Sequence, residues 1–190
     1  MNRQMPQALD FLDESKALHA LIAPLDDAAF GQATAFKGWT INDVLRHLHY
    51  WNWMAWLQLN DEALLVAQMK EIARAGGMRP VETAHVDGAA GQDLVAIWIE
   101  QAEATAAAFT DADPKARLKW AGPDMSARSS ITARLMETWA HGQEVYDQLG
   151  VVRENADRIR NIVVLGINTF GWTFRNRKLD VPEPMPFVSL

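Results

Sequence analysis

The 190-residue chain contains no cysteine, and this absence limits its chemistry. It excludes disulfides, zinc sites built on thiolates and a cysteine nucleophile from the chain itself. Any metal ion that the protein binds must therefore be held by nitrogen and oxygen ligands.

Basic clusters and long apolar runs are also missing. With 24 acidic and 18 basic residues the formal net charge is −6, and no block of lysine or arginine offers the contacts that a nucleic acid backbone needs. The longest apolar-rich run, residues 162–174, is too short to span a bilayer, and the N-terminal segment lacks the pattern of a signal peptide. We therefore expect a cytoplasmic protein without a nucleic acid or membrane partner.

The chain is rich in apolar residues at helical spacing. An apolar content of 49% is enough for a chain of this length to bury a core as one domain. Apolar positions recur at the helical period along most of the sequence, and no alternating strand pattern precedes the last few residues. We predict five helices, which span residues 7–25, 41–75, 91–109, from Ser126 or Ser129 to 149, and 154–177.

Local signals mark several of the helix ends. The Thr40 hydroxyl can cap the amide of Asp43, and Asp43 can bond back to residue 40, so the second helix begins near Ile41. Asn60 and Asp61 are residues that could break or bend this helix midway. Because the connecting loops are mostly short, we predict an all-α fold, an up-and-down four-helix bundle with one extra helix, over residues 1–179. Residues 180–190 contain three prolines and are predicted to form an extended tail or a linker towards a C-terminal domain that the chain lacks.

The fourth predicted helix contains a carboxylate and an imidazole at metal-ligand spacing. Glu137 and His141 are four residues apart, so their side chains lie about 5–6 Å apart on one face and can share an ion at roughly 2 Å from each. Both residues lie about 80–130° to one side of the apolar stripe of their helix. On the second helix, His47 lies about 90° from the apolar stripe. The three side chains thus border the core, where an ion can keep an open coordination position.

Simpler interpretations of the same residues stay open at this point. A glutamate and a histidine four apart often form only a surface pair, and a lone helical histidine such as His47 is often a hydrogen-bonded residue near the core. His49 faces elsewhere on the helix and is not expected to be a fourth ligand. Trp51 and Met54, on the same face as His47, are candidates for the wall of a substrate pocket, although residues at this spacing are often core residues.

Two segments of the sequence resemble a known family. GWTINDVLRHLHYW and WAGPDMSARSSITARLMETWAHGQEVYDQLG are similar to the two signatures of the DinB-like superfamily, in particular its mycothiol-dependent maleylpyruvate isomerase-like branch. The resemblance implies an up-and-down bundle that holds a divalent metal, usually zinc, with nickel or iron as alternatives. It assigns His47, Glu137 and His141 as the ligands. Longer relatives in this branch continue into a smaller α/β domain, whereas this sequence ends at PFVSL.

The resemblance also implies a chemistry. It indicates a metal-bound thiolate from mycothiol or another small thiol, which adds to an electrophilic substrate in an isomerase or S-transferase reaction. The alternative is a metal-binding or stress-related module without turnover. The sequence leaves open which of these applies, and whether the protein acts alone or as a homodimer.

Overall fold

The computed structural model describes residues 5–189, and these residues are mostly helical. They form seven α-helices, two 3-10 turns and one small sheet. The helices are α1 (Pro6–Ile22), α2 (Ile41–Asn60), α3 (Glu62–Arg74), α4 (Met78–His85), α5 (Gly91–Thr110), α6 (Ala127–Gln148) and α7 (Arg160–Asn176). The 3-10 turns are Ala29–Gly31 and Asp157–Ile159, and the antiparallel strands are β1 (Arg117–Leu118) and β2 (Met125–Ser126).

The predicted start of α2 is confirmed in detail. The Thr40 hydroxyl accepts from the amide of Asp43 at 3.1 Å, and the Asp43 carboxylate accepts from the amide of Thr40 at 3.0 Å. These two bonds form a reciprocal capping box that satisfies two backbone donors at the helix start. Ser126 caps α6 in a similar way, since its hydroxyl accepts from the amide of Ser129 at 3.1 Å.

The helix predicted over residues 41–75 is broken at Asp61, where the sequence indicated that it could break or bend. The Asp61 carboxylate accepts from the amide of Leu64 and begins α3 as a separate helix. One prediction in the next segment was wrong. The loop predicted after Gly77 contains α4. Pro80 is the third residue of α4, where a missing amide costs no intrahelical hydrogen bond.

The C-terminal region differs more modestly from the prediction. The fifth predicted helix, residues 154–177, is a 3-10 turn followed by α7. No helix or strand occurs at residues 177–189. The role of residues 180–190 as a linker stays a prediction.

Four helices make the main contacts of the described structure. α2 packs against α5 and α6, and α1 packs against the same two helices. Buried side chains from these helices form two apolar clusters, one around Leu48 and Trp98 and the other around Phe11 and Ile131. The contacts agree with a helical bundle, but the up-and-down arrangement stays a prediction.

α2 is the central element because other helices cover almost all of its surface. α3 and α4 pack on the side that α5 and α6 leave free, and together they bury a third apolar cluster around Tyr50 and Leu65. Thirteen of the 20 residues of α2 are buried as a result. Within residues 5–189, no helix has both the length and the apolar character needed to cross a bilayer.

Candidate metal centre

The structure brings the three predicted ligands together between α2 and α6. His47 Nε2 and His141 Nε2 each lie 3.3 Å from the same carboxylate oxygen, Glu137 Oε2. One ligand atom from each residue falls within a group whose members are all within 4.8 Å of one another. A single ion could therefore contact all three side chains.

These separations fit a tetrahedral ion. Ligand atoms about 2.0–2.1 Å from zinc at tetrahedral angles are about 3.3–3.4 Å apart, which matches both distances to Glu137. Hydrogen bonds could span the same distances, so the donor set matters more than the spacing. Two imidazole nitrogens and one carboxylate are a common set for a divalent metal with an open position.

His47 is held by a second carboxylate on its other side. Glu82 of α4 is almost fully buried, and its Oε1 lies 2.8 Å from His47 Nδ1. The same oxygen accepts a hydrogen bond from Trp51 Nε1 at 2.8 Å. A carboxylate on Nδ1 keeps the proton there and leaves Nε2 as the basic nitrogen, the arrangement found for many metal-ligating histidines.

His141 has the same kind of support from its own helix. Its Nδ1 lies 3.1 Å from Glu144 Oε1 on the next turn of α6. The Trp39 ring stacks on the imidazole, with centroids 5.4 Å apart and planes 7° apart, and the Arg79 guanidinium lies over the Trp39 ring at 4.5 Å. Both imidazoles are therefore held in position by neighbouring side chains, with a carboxylate at each Nδ1.

The electrostatics of the group favour an ionised carboxylate. Burial alone would raise the pKa of Glu137, but hydrogen bonds from His141 and His47 and the charge of Arg134 hold this pKa well below its usual range. For His47, burial opposes protonation, but hydrogen bonds to Glu137 and Glu82 outweigh it and raise the pKa. The negative charge of Glu137 and Glu82 around His47 therefore favours a cation between these side chains.

A pocket of about 360 Å³ opens beside the three side chains. Four aromatic residues line it, namely Phe36, Trp39, Trp51 and Trp120. The Trp51 and Trp120 rings meet edge to face, with centroids 5.5 Å apart. Arg134 and Lys37 are the basic residues of its wall. The pocket could hold a small molecule in contact with an ion on the three ligands.

The two pocket candidates of the sequence differ in their location. Trp51 lines the pocket, but Met54 is fully buried in the cluster with Tyr50 and Leu65 and is not among the lining residues. Met54 lies two helical turns from His47, where α3 and α4 cover α2. His49 contacts His85 instead of the metal group, and burial lowers its pKa to about 4.

Sequence reasoning missed several residues of the site. Glu144 and Arg134 lie three residues from His141 and Glu137, so the helical wheel that found the ligands places them on nearby faces of α6. Trp39, which stacks on His141, was not among the predicted site residues. Glu82 gave no local signal, because its position depends on how α4 packs on α2.

Comparison with known proteins identifies the family of the chain. A family model described as the mycothiol maleylpyruvate isomerase N-terminal domain matches residues 11–146, a range that includes all three ligands. Two uncharacterized proteins of Mycobacterium tuberculosis, from strains CDC 1551 / Oshkosh and ATCC 25618 / H37Rv, are each 35% identical to the chain over 187 residues. The match covers 97% of this chain and 72% of each relative. No solved structure gave a significant match. The chain thus belongs to the mycothiol maleylpyruvate isomerase N-terminal domain family, which is a DinB-like family.

Proposed function

We propose that the protein binds one divalent metal ion on His47, Glu137 and His141, and that this ion is zinc. The convergence of two imidazole nitrogens on one carboxylate oxygen, at tetrahedral spacing, carries this proposal. The carboxylates on the other side of each imidazole support it further. We also propose that α1, α2, α5 and α6 form the up-and-down bundle that holds α2 and α6 at this distance.

We further propose that the ion serves a thiol-dependent isomerase or S-transferase reaction. When bound, a divalent cation lowers the pKa of a thiol that joins it and so favours the nucleophilic thiolate. The chain has no cysteine, so the thiol must come from a small molecule, and the family points to mycothiol. The residues of this chain would hold the ligand geometry, and the aromatic wall of the pocket would provide apolar contacts for a substrate.

The test is a titration of the cobalt-substituted protein with mycothiol, glutathione and bacillithiol. We expect one of these thiols to add an intense thiolate-to-cobalt absorption band and to release a proton as it binds. Elemental analysis should first give about one ion per chain. His141→Ala is the control, because it should lose the ion while the helical circular dichroism signal persists.

Two outcomes would contradict the proposal in different ways. Trace metal after incubation with Zn²⁺, Ni²⁺ and Fe²⁺, or equal metal content in His141→Ala, would show that the three residues do not bind an ion. A bound ion whose cobalt spectrum none of the thiols changes would reject the thiol-dependent reaction. The protein would then be a metal-binding module without turnover.

A further inference from the structure

Arg134 is a buried charge whose nearby carboxylates, Glu137 and Glu82, act on it only through longer-range electrostatics. Its side chain is 4% exposed and lies at the α2–α6 interface beside the pocket. The guanidinium Nε donates to Asn52 Oδ1 at 3.1 Å, but Nη2 has no hydrogen-bond partner among the described residues. No carboxylate oxygen of residues 5–189 lies within 4.0 Å of its nitrogens. The two nearest acidic groups are engaged elsewhere, since Glu137 contacts both histidines and Glu82 binds His47 and Trp51.

An arginine in this position is costly unless something compensates it. A buried arginine is normally paired with a carboxylate, because the ion pair offsets the free-energy cost of removing the charge from water. Burial lowers the pKa of Arg134 to about 10, although the charges of Glu137 and Glu82 act in the opposite direction, so the guanidinium keeps its charge at neutral pH. A ligand with a negative oxygen group in the pocket that Arg134 lines could form the ion pair that this residue lacks.

The location of Arg134 suggests how such a ligand would lie. Arg134 precedes Glu137 by three residues on α6, so it is displaced by about 4.5 Å along the helix axis from Glu137 and lies farther from His141. The pocket that it lines is flanked by the flat rings of Trp51 and Trp120. A molecule here could thus contact the ion with one end and the guanidinium with the other.

We infer that Arg134 binds the carboxylate of a small ligand whose flat apolar body packs against Trp51 and Trp120. The planar guanidinium matches a carboxylate because it can donate two parallel hydrogen bonds. This inference rests on the proposed function in that it takes this ligand to be the electrophilic substrate of the same site. It adds a recognition residue to that proposal.

The test compares benzoate with benzamide, two probes of the same shape that differ in charge. Isothermal titration calorimetry is carried out on the zinc-loaded and the metal-free protein. We expect both forms to prefer benzoate, and Arg134→Met to weaken benzoate binding by about tenfold to a hundredfold, as the loss of a charge-assisted hydrogen bond predicts. Arg134→Lys should keep part of the affinity, because the charge remains but the planar pair of donors is lost.

Arg128→Met is the matched control. It removes the same charge from the same helix, but Arg128 is exposed and is not a lining residue of the pocket. It should leave benzoate binding unchanged, and circular dichroism should show that all three variants are folded. Benzoate affinity in Arg134→Met equal to that of the wild type would overturn the inference, since the carboxylate would then bind the ion or another group. Absence of benzoate binding to both forms of the wild type would also overturn it.

The two proposals can fail separately. If no thiol changes the cobalt spectrum but benzoate binding depends on Arg134, the carboxylate site stands and the thiol reaction is rejected. If a thiol binds the cobalt protein but Arg134→Met binds benzoate normally, the thiol reaction stands and Arg134 has no role in recognition.

Discussion

At the scale of single residues, the metal ligands depend on side chains that do not themselves contact the ion. Glu82 is the strongest example, because it is 1% exposed and contacts His47 and Trp51 through the same oxygen. A negative charge on the far side of an imidazole fixes the tautomer and increases the basicity of the nitrogen that faces the metal. The affinity of the centre should therefore depend on residues of α4 as well as on the three ligands.

We predict that Glu82→Gln lowers zinc affinity by about tenfold to a hundredfold, the usual effect of losing such a partner. The amide keeps the size of the side chain but not its charge, so it holds His47 Nδ1 less strongly. Competition with a chromophoric chelator measures the change. Glu103→Gln is the control, since Glu103 is exposed on α5. Equal zinc affinity in Glu82→Gln and the wild type would show that Glu82 serves only the packing of α4.

The residues of the site were predictable to different extents. Glu137 and His141 share one helix, so their spacing alone places them on one face. The pairing of these residues with His47 needed the family resemblance, because helical spacing does not say which faces of two helices meet. The role of Glu82 could not be predicted from the sequence. Its contact with His47 joins residues 35 positions apart, and Glu82 lies on a helix that was not predicted. Met54 was a candidate for the pocket, but the packing of α3 and α4 on α2 buries it.

At the scale of helices, local signals predicted where the site-bearing elements begin. The capping box of α2 involves neighbours in sequence, so it forms regardless of the rest of the fold. It also fixes Trp39, the residue before the cap, which stacks on His141. The break between α2 and α3 and the short α4 were harder to predict. The break depends on whether capping by Asp61 is more favourable than continuation of α2. The start of α4 depends on whether Pro80 falls in the first turn of a helix, where proline is tolerated.

We predict that Thr40→Ala lowers the free energy of unfolding by about 1 kcal/mol, the typical cost of losing a helix cap. The substitution leaves the Asp43 amide without its acceptor. Urea denaturation followed by circular dichroism measures the change. Thr83→Ala is the matched control, because Thr83 is an exposed residue inside α4 and alanine is at least as good a helix former there. A loss in Thr40→Ala no greater than in Thr83→Ala would show that the cap contributes nothing to stability.

At the scale of the whole molecule, the metal group and the apolar core are separate sources of stability. The clusters around Leu48 with Trp98 and around Phe11 with Ile131 contain none of the three ligands. The metal-free protein should therefore fold on its own. An ion adds a link between α2 and α6, since His47 lies on one helix and Glu137 and His141 lie on the other.

This separation predicts how zinc changes the thermal stability. An ion that binds only the folded state stabilises it by RT ln(1 + [L]/Kd), which is about 2.7 kcal/mol at a free concentration a hundred times Kd. For a chain of this size, that corresponds to a rise in Tm of roughly 5–11 °C. Differential scanning calorimetry of the chelator-treated and the zinc-saturated protein measures the rise. His141→Ala should show no rise at the same zinc concentration, because it lacks one of the three ligands.

The far-ultraviolet circular dichroism of the same samples separates this prediction from its alternatives. We expect the metal-free and the zinc-saturated protein to have the same helical signal at 25 °C, because the apolar clusters persist without the ion. An unfolded metal-free protein would mean that the ion is needed to assemble α2 and α6, as in small domains whose folding depends on metal. An equal Tm with and without saturating zinc would mean that the ion binds the folded and unfolded chains alike, or that it does not bind. Either result would contradict a preformed site between two packed helices.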